Sequence, residues 1–259
     1  MNSLQDNLKQ PLTDLLLAVA DDKLMLGHRN SDWTGLGPIL EEDIAFSSMA
    51  QDEIAHAQAL YEIVSPFVAK TPDQLAYGRS PEEYRCAQIV EIPDEFDWAV
   101  AIARQFFCDH FDYLRLGRLA QSSYKPLADL AKRLVAEERV HVEHVDAWIV
   151  RLGRGGDESK QRLQAALDQL SPMAPMLFEP VDQEAELIGA GLYPQAEKDM
   201  FQAWRDVLQH VAHEGGLSLE LSPPTEGVPG GRRGHHSEYL KPLLDEMCEV
   251  YRLEPDAAW

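Results

Sequence analysis

Apolar residues recur at steps of three and four along four segments of this chain, and in every segment an acidic residue interrupts the stripe. A period near 3.6 places such residues on one face of an α-helix. The first segment, about Pro11 to Arg29, carries Leu12, Leu15, Val19 and Leu26, broken by Asp22. The second, Pro38 to about Val64, reads Glu42, Phe46, Met49, Glu53, His56, Leu60 and Ile63. The third, about Asp94 to Ala120, carries Ile102, Phe106, Tyr113 and Leu116, broken by Asp109. The fourth, about Pro126 to Gly153, reads Leu127, Ala131, Leu134, Glu138, His141, Val145, Trp148 and Leu152.

A long proline-marked connection, 69–92, separates the two helix pairs, with a short helix expected near Glu82 to Gln88. Ferritin-like bundles place a long crossover at that point. The expected fold class is therefore all-α: a ferritin-like four-helix bundle with additional C-terminal helices. The chain is read as one domain over 1–259, with the bundle core at about 11–153 and a helical extension at 154–259. Within the extension, helices are predicted over Asp157 to Leu170, Ala196 to His213 and His236 to Leu253. Met173 to Pro180 and the Gly- and Pro-rich Pro223 to Gly234 are expected as loops, the second exposed. No run alternates apolar and polar residues long enough for a strand.

Forty-four acidic against 23 basic residues leave a formal net charge of -21. Phosphate binding relies on basic patches, so nucleic acid and anionic membrane surfaces are excluded as expected partners. Cys86, Cys108 and Cys248 are far apart and odd in number, which points to a reducing compartment and no disulfide framework. Met1 to Gln10 is polar and reads as no signal segment. Leu15 to Ala20, the longest apolar stretch, is too short to cross a bilayer. The expected location is cytoplasmic.

Glu-x-x-His occurs twice, at Glu53–His56 and Glu138–His141. Residues three apart share a helix face, so each pair presents a carboxylate and an imidazole to one point. Both pairs lie inside the apolar stripe, where charge is costly unless it is paired or bound to metal. With one carboxylate from each remaining helix, Asp22 (or its competitor Asp21) and Asp109, the set matches the di-iron carboxylate arrangement. Oxygen ligands with imidazole suit iron or manganese. The candidate metal ligands are Asp22, Glu53, His56, Asp109, Glu138 and His141. A metal-free acid–histidine network satisfied by hydrogen bonds is the alternative.

Glu137, Glu143, His144, Asp52 and Gln58 read as a solvated face. Trp98, Phe106, Phe107 and Phe111 read as packing. His235 and His236, following Arg232 and Arg233, form a local basic patch, read as a flexible exposed loop or as a hold for an anionic partner surface or a phosphate. No phosphate loop, nucleophile elbow or cysteine–histidine nucleophile is present.

Several stretches resemble the C subunits of the bacterial phenylacetyl-CoA ring epoxidase (PaaC). They are Ala20 to Arg29 with Trp33, Leu40 to Ala45, Ile102 to Phe107, and Trp148 with Arg151 to Gly153. The stretch Gly230 to Leu240, continuing through Leu244, Glu246 and Met247 to Trp259, is the most specific. The resemblance implies a ferritin-like fold and a stable complex with a larger catalytic A subunit, which carries the di-iron centre and binds the acyl-CoA. It implies a scaffold role for this chain in epoxidising phenylacetyl-CoA, with dioxygen and a separate reductase. Many C subunits carry glutamine at the position of His56; this sequence keeps both Glu-x-x-His pairs. The implied iron site is therefore either vestigial or working, and the alternative function is a di-iron oxygenase in its own right. Metal storage is a third class, which would need a cage-forming assembly.

Overall fold

A computed structural model describes residues 4–224 and 227–255. The closing Trp259, and part of the Pro223 to Gly234 loop, lie outside those residues. The described chain is all-α, of the expected ferritin-like class, with no strand among the described residues. It forms two compact units: 1–93 with 180–187 and 229–259, and 94–179 with 188–228.

The first unit is built on α1 (Asp6–Ser31) and α2 (Leu40–Val68). α1 begins earlier than Pro11, which lies inside it. Proline there forfeits one backbone hydrogen bond, but Pro11 is buried beside Leu8 and Leu12. α2 likewise runs past Pro66 and ends where Ala69 turns left-handed, at φ 54°. The two helices are antiparallel neighbours: Lys23 meets Glu53, while Asp21, earlier on α1, meets Tyr61, later on α2. They cross closely at Gly27, where a Cβ would stand 2.9 Å from the Glu53 Cβ.

The connection after α2 is more ordered than its prolines predict. It holds α3 (Pro72–Tyr77), a 3-10 turn at Pro81–Glu83, and α4 (Gln88–Glu91). Thr71 caps α3 reciprocally with Gln74, at 3.2 and 2.9 Å.

The second unit centres on α5 (Trp98–Leu119) and α6 (Lys125–Gly155), covered by α7 (Asp157–Leu170) and α9 (Met200–Glu214). Asp97 caps α5 by accepting from Ala99 N at 2.9 Å. α5 is buried nearly all round because α6, α7 and α9 all pack on it. Its seam departs from the expected stripe at one place: Tyr113 is exposed, while Phe107, Phe111 and Arg115 are buried. Phe107, Phe111, Phe178, Phe201 and Trp204 stack in tilted and edge-on contacts, and Trp204 Nε1 donates to Phe107 O at 3.0 Å.

The extension is divided between the units. α8 (Glu184–Gly189) has no counterpart among the predicted helices. The last predicted helix is two, α10 (Leu240–Met247) and α11 (Glu249–Leu253), broken at Cys248. The loop expected to be exposed is not so at its end: Gly230, Gly231 and Arg232 are buried. Gly231 presses so tightly on the backbone that an added Cβ would lie 1.7 Å from Cys86 O. Only glycine fits there.

Candidate metal-ligating residues

In the second unit, α5 and α6 bring Asp109, Glu138 and His141 together. Each offers a ligand atom, and those atoms lie within 4.8 Å of one another. All three side chains are buried. Gln105, one turn before Asp109, donates from Nε2 to Asp109 Oδ1 at 2.7 Å. His141 Nδ1 stands 3.9 Å from Glu138 Oε2, the proximity that i,i+3 spacing provides. Two carboxylates and an imidazole form a hard donor set of the kind iron or manganese takes.

In the first unit, α2 buries Glu53 and His56 in the expected seam. Glu53 faces a cation supplied by the chain itself. Lys23 Nζ lies 3.1 Å from Oε1 and 2.9 Å from Oε2, and both side chains are fully buried. Lys23 is not among the expected site residues, although the sequence carries its signal. Steps of four and three also run Leu12, Leu16, Val19, Lys23 and Leu26, and all five are completely buried.

Asp22 and Asp21 are each held by a guanidinium. Asp22 accepts from Arg232 NH1 and NH2, each at 2.7 Å, and from Ala87 N at 2.8 Å. Asp21 accepts from Arg79, from Tyr61 Oη at 2.6 Å and from Arg85 N at 2.6 Å. Burial, with the Asp21 carboxylate beside it, pushes the Tyr61 phenol well above its ordinary range. Bidentate pairing satisfies both aspartates without metal. Arg232, read from sequence as part of a surface basic patch, is instead a buried structural cation.

Asp109, Glu138 and His141 fit a divalent ion by chemistry and proximity. Glu53 and Asp22 already face cations of the chain itself, the Lys23 ammonium and the Arg232 guanidinium.

Comparison with known proteins agrees with this helical, acid-rich architecture. Residues 1–259 match the family described as phenylacetic acid catabolic protein. The chain belongs to that family. It is 29% identical over 251 residues to the C subunit of the 1,2-phenylacetyl-CoA epoxidase of Escherichia coli (strain K12). The match covers 96% of this chain and 99% of the relative. No helix among the described residues is long and apolar enough to cross a membrane.

Proposed function

We propose that this chain is a cytoplasmic, non-catalytic C-type subunit of a multicomponent phenylacetyl-CoA epoxidase, supporting a homologous catalytic A subunit. The Lys23–Glu53 pair carries this reading. A metal ligand must present its lone pairs to the ion, and a buried ammonium within 3.1 Å of both Glu53 oxygens opposes a second cation there. Asp22, saturated by Arg232, adds to that. On this reading the six-residue set is a vestige of a metal bundle in which two members have become ion pairs: Lys23–Glu53 ties α1 to α2, and Arg232–Asp22 ties the C-terminal segment to α1. Lys23 and Arg232 supply Glu53 and Asp22 with the positive charge that metal would otherwise bring.

Exposed apolar side chains support the partner part of this reading. Leu36, Ile39, Leu40 and Ile44 are 41–69% exposed around the start of α2. Four exposed apolar side chains within nine residues of sequence are a candidate for an interaction site. The A subunit is the partner assigned to them.

The grouping of Asp109, Glu138 and His141 favours a second reading, a di-iron oxygenase in its own right. Metal analysis separates the two. The chain is produced in iron-rich medium with and without a larger ferritin-like partner. The scaffold reading expects co-purification, well under one iron per chain and no epoxidation of phenylacetyl-CoA by the chain alone. Two irons per chain with turnover by the isolated chain would replace it with the second reading. In Lys23→Met, removal of the competing ammonium is expected to raise iron retention.

A further inference from the structure

The scaffold reading leaves a separate group of ligating side chains without a use. Cys86 lies just before α4, Glu91 ends that helix, and His236 lies 150 and 145 residues further along the chain. All three belong to the first unit. Cys86 and Glu91 are fully buried, and the His236 side chain is 7% exposed.

Three ligand atoms converge there. Cys86 Sγ is 3.7 Å from Glu91 Oε1 and 3.9 Å from His236 Nδ1, and Nδ1 is 2.6 Å from Oε1. Tetrahedral zinc, with bonds of about 2.0–2.3 Å, separates its sulfur from nitrogen or oxygen ligands by about 3.6 Å. The two sulfur edges are therefore already near metal-bound spacing. The Nδ1–Oε1 edge has to open by about 0.7 Å, a small rotation of either side chain.

The surroundings have the form of a ligand-orienting shell. His236 Nε2 lies 3.1 Å from Tyr84 O. A carbonyl only accepts, so Nε2 carries a hydrogen, and Nδ1 is the nitrogen that faces Glu91 and Cys86. Metal-bound histidines are commonly oriented by such a contact. Ser237 N donates to Glu91 Oε2 at 2.7 Å, which fixes the carboxylate. Nδ1 and Oε1 face one another at 2.6 Å, and a proton or a metal ion has to lie between them.

A thiol nucleophile does not fit this geometry. A cysteine–histidine–acid relay uses one imidazole nitrogen for the sulfur and the other for the acid. Here both approach Nδ1. Burial, with the Glu91 carboxylate next, also pushes the Cys86 thiol well above its ordinary range, which opposes a free thiolate. A bound dication reverses that balance by holding the sulfur deprotonated.

We propose that Cys86, Glu91 and His236 form a binding site for a zinc-class divalent cation, with water as fourth ligand, which clips the C-terminal segment to the chain around α4. The site shares no residue with the acid–histidine set on α2, α5 and α6 and does not depend on how that set is read.

Cobalt(II) is the probe, because only a cobalt–thiolate bond gives the intense near-ultraviolet charge-transfer band. The full chain is stripped with chelator and titrated with cobalt chloride. The expected result is one equivalent bound with that band, displaced by zinc and absent in Cys86→Ala. It should persist in Cys248→Ala and in Glu138→Gln. Zinc should also raise the melting temperature of the unmodified chain. Glu91→Gln keeps the hydrogen bond from Ser237 and provides a second variant should Cys86→Ala fail to fold; its cobalt affinity should fall at least about 10-fold. Absence of the band in the unmodified chain overturns the proposal and leaves a proton-bridged His236–Glu91 pair. A band that survives Cys86→Ala, or unchanged affinity in Glu91→Gln, overturns it equally.

Discussion

Arg232 and Asp22 stand 210 residues apart in the chain and meet in the interior through two hydrogen bonds of 2.7 Å. The same guanidinium donates to Ala18 O and Arg85 O, at 3.1 and 2.7 Å. One side chain from the C-terminal segment thus ties α1 to the connection before α4. Removing either member alone leaves the other charge buried. Asp22→Ala and Arg232→Ala should each lower unfolding free energy by about 3–5 kcal/mol. The double replacement Asp22→Leu with Arg232→Met should recover much of that loss. Urea unfolding of the three variants checks the prediction, and a double variant as weak as the singles would contradict it.

Gly231 makes the same anchorage possible by letting two backbones touch. A Cβ there would meet Cys86 O at 1.7 Å, and backbone cannot yield as a flexible side chain can. Gly231→Ala should cost at least about 3 kcal/mol, the upper end for overpacking. Gly117→Ala, with open space around its Cα, should change stability by no more than about 0.5 kcal/mol or improve it. The pair of melting curves is the measurement.

His28 gives the stability a pH dependence of known sign. Burial is the main cause that lowers its imidazole below the ordinary range, opposed by Asp32 and Glu246. Above the ordinary imidazole range both folded and unfolded chains hold it neutral. As pH falls through that range the unfolded chain takes up a proton that the folded chain resists, so the folded state loses stability. His28→Gln should flatten the slope of the urea midpoint between roughly pH 7 and 5, the region below the imidazole reference value. An unchanged slope would show that His28 contributes nothing to it.

The exposed cluster at Leu36, Ile39, Leu40 and Ile44 should act on association and not on folding. Leu40→Lys with Ile44→Lys removes apolar surface from a region already in water. The isolated chain should keep its stability to within about 0.5 kcal/mol per site. Binding to the proposed A-subunit partner, read by size-exclusion chromatography or calorimetry, should weaken at least about 10-fold, the equivalent of about 1.4 kcal/mol. Undiminished binding would move the interface elsewhere.

The amphipathic rhythm made the helical fold and the acid–histidine seams readable before any coordinates. Glu53, His56, Asp109, Glu138 and His141 are all buried, as a 3.6-residue period requires of positions inside an apolar stripe. Proline was a weaker guide: α1 contains Pro11 and α2 contains Pro66, and at the buried Pro11 packing outweighs the one lost hydrogen bond. α3, α4 and α8 are four to six residues long, too short to show a period.

Sequence by itself determined that acids and imidazoles would lie on buried helix faces, because periodicity is a local property of the chain. What those acids face was decided only by tertiary structure. Lys23 on Glu53, Arg232 on Asp22 and His236 on Glu91 join residues 30 to 210 positions apart. A buried charge must find a countercharge, but local spacing carries no information about which distant segment folding brings to it.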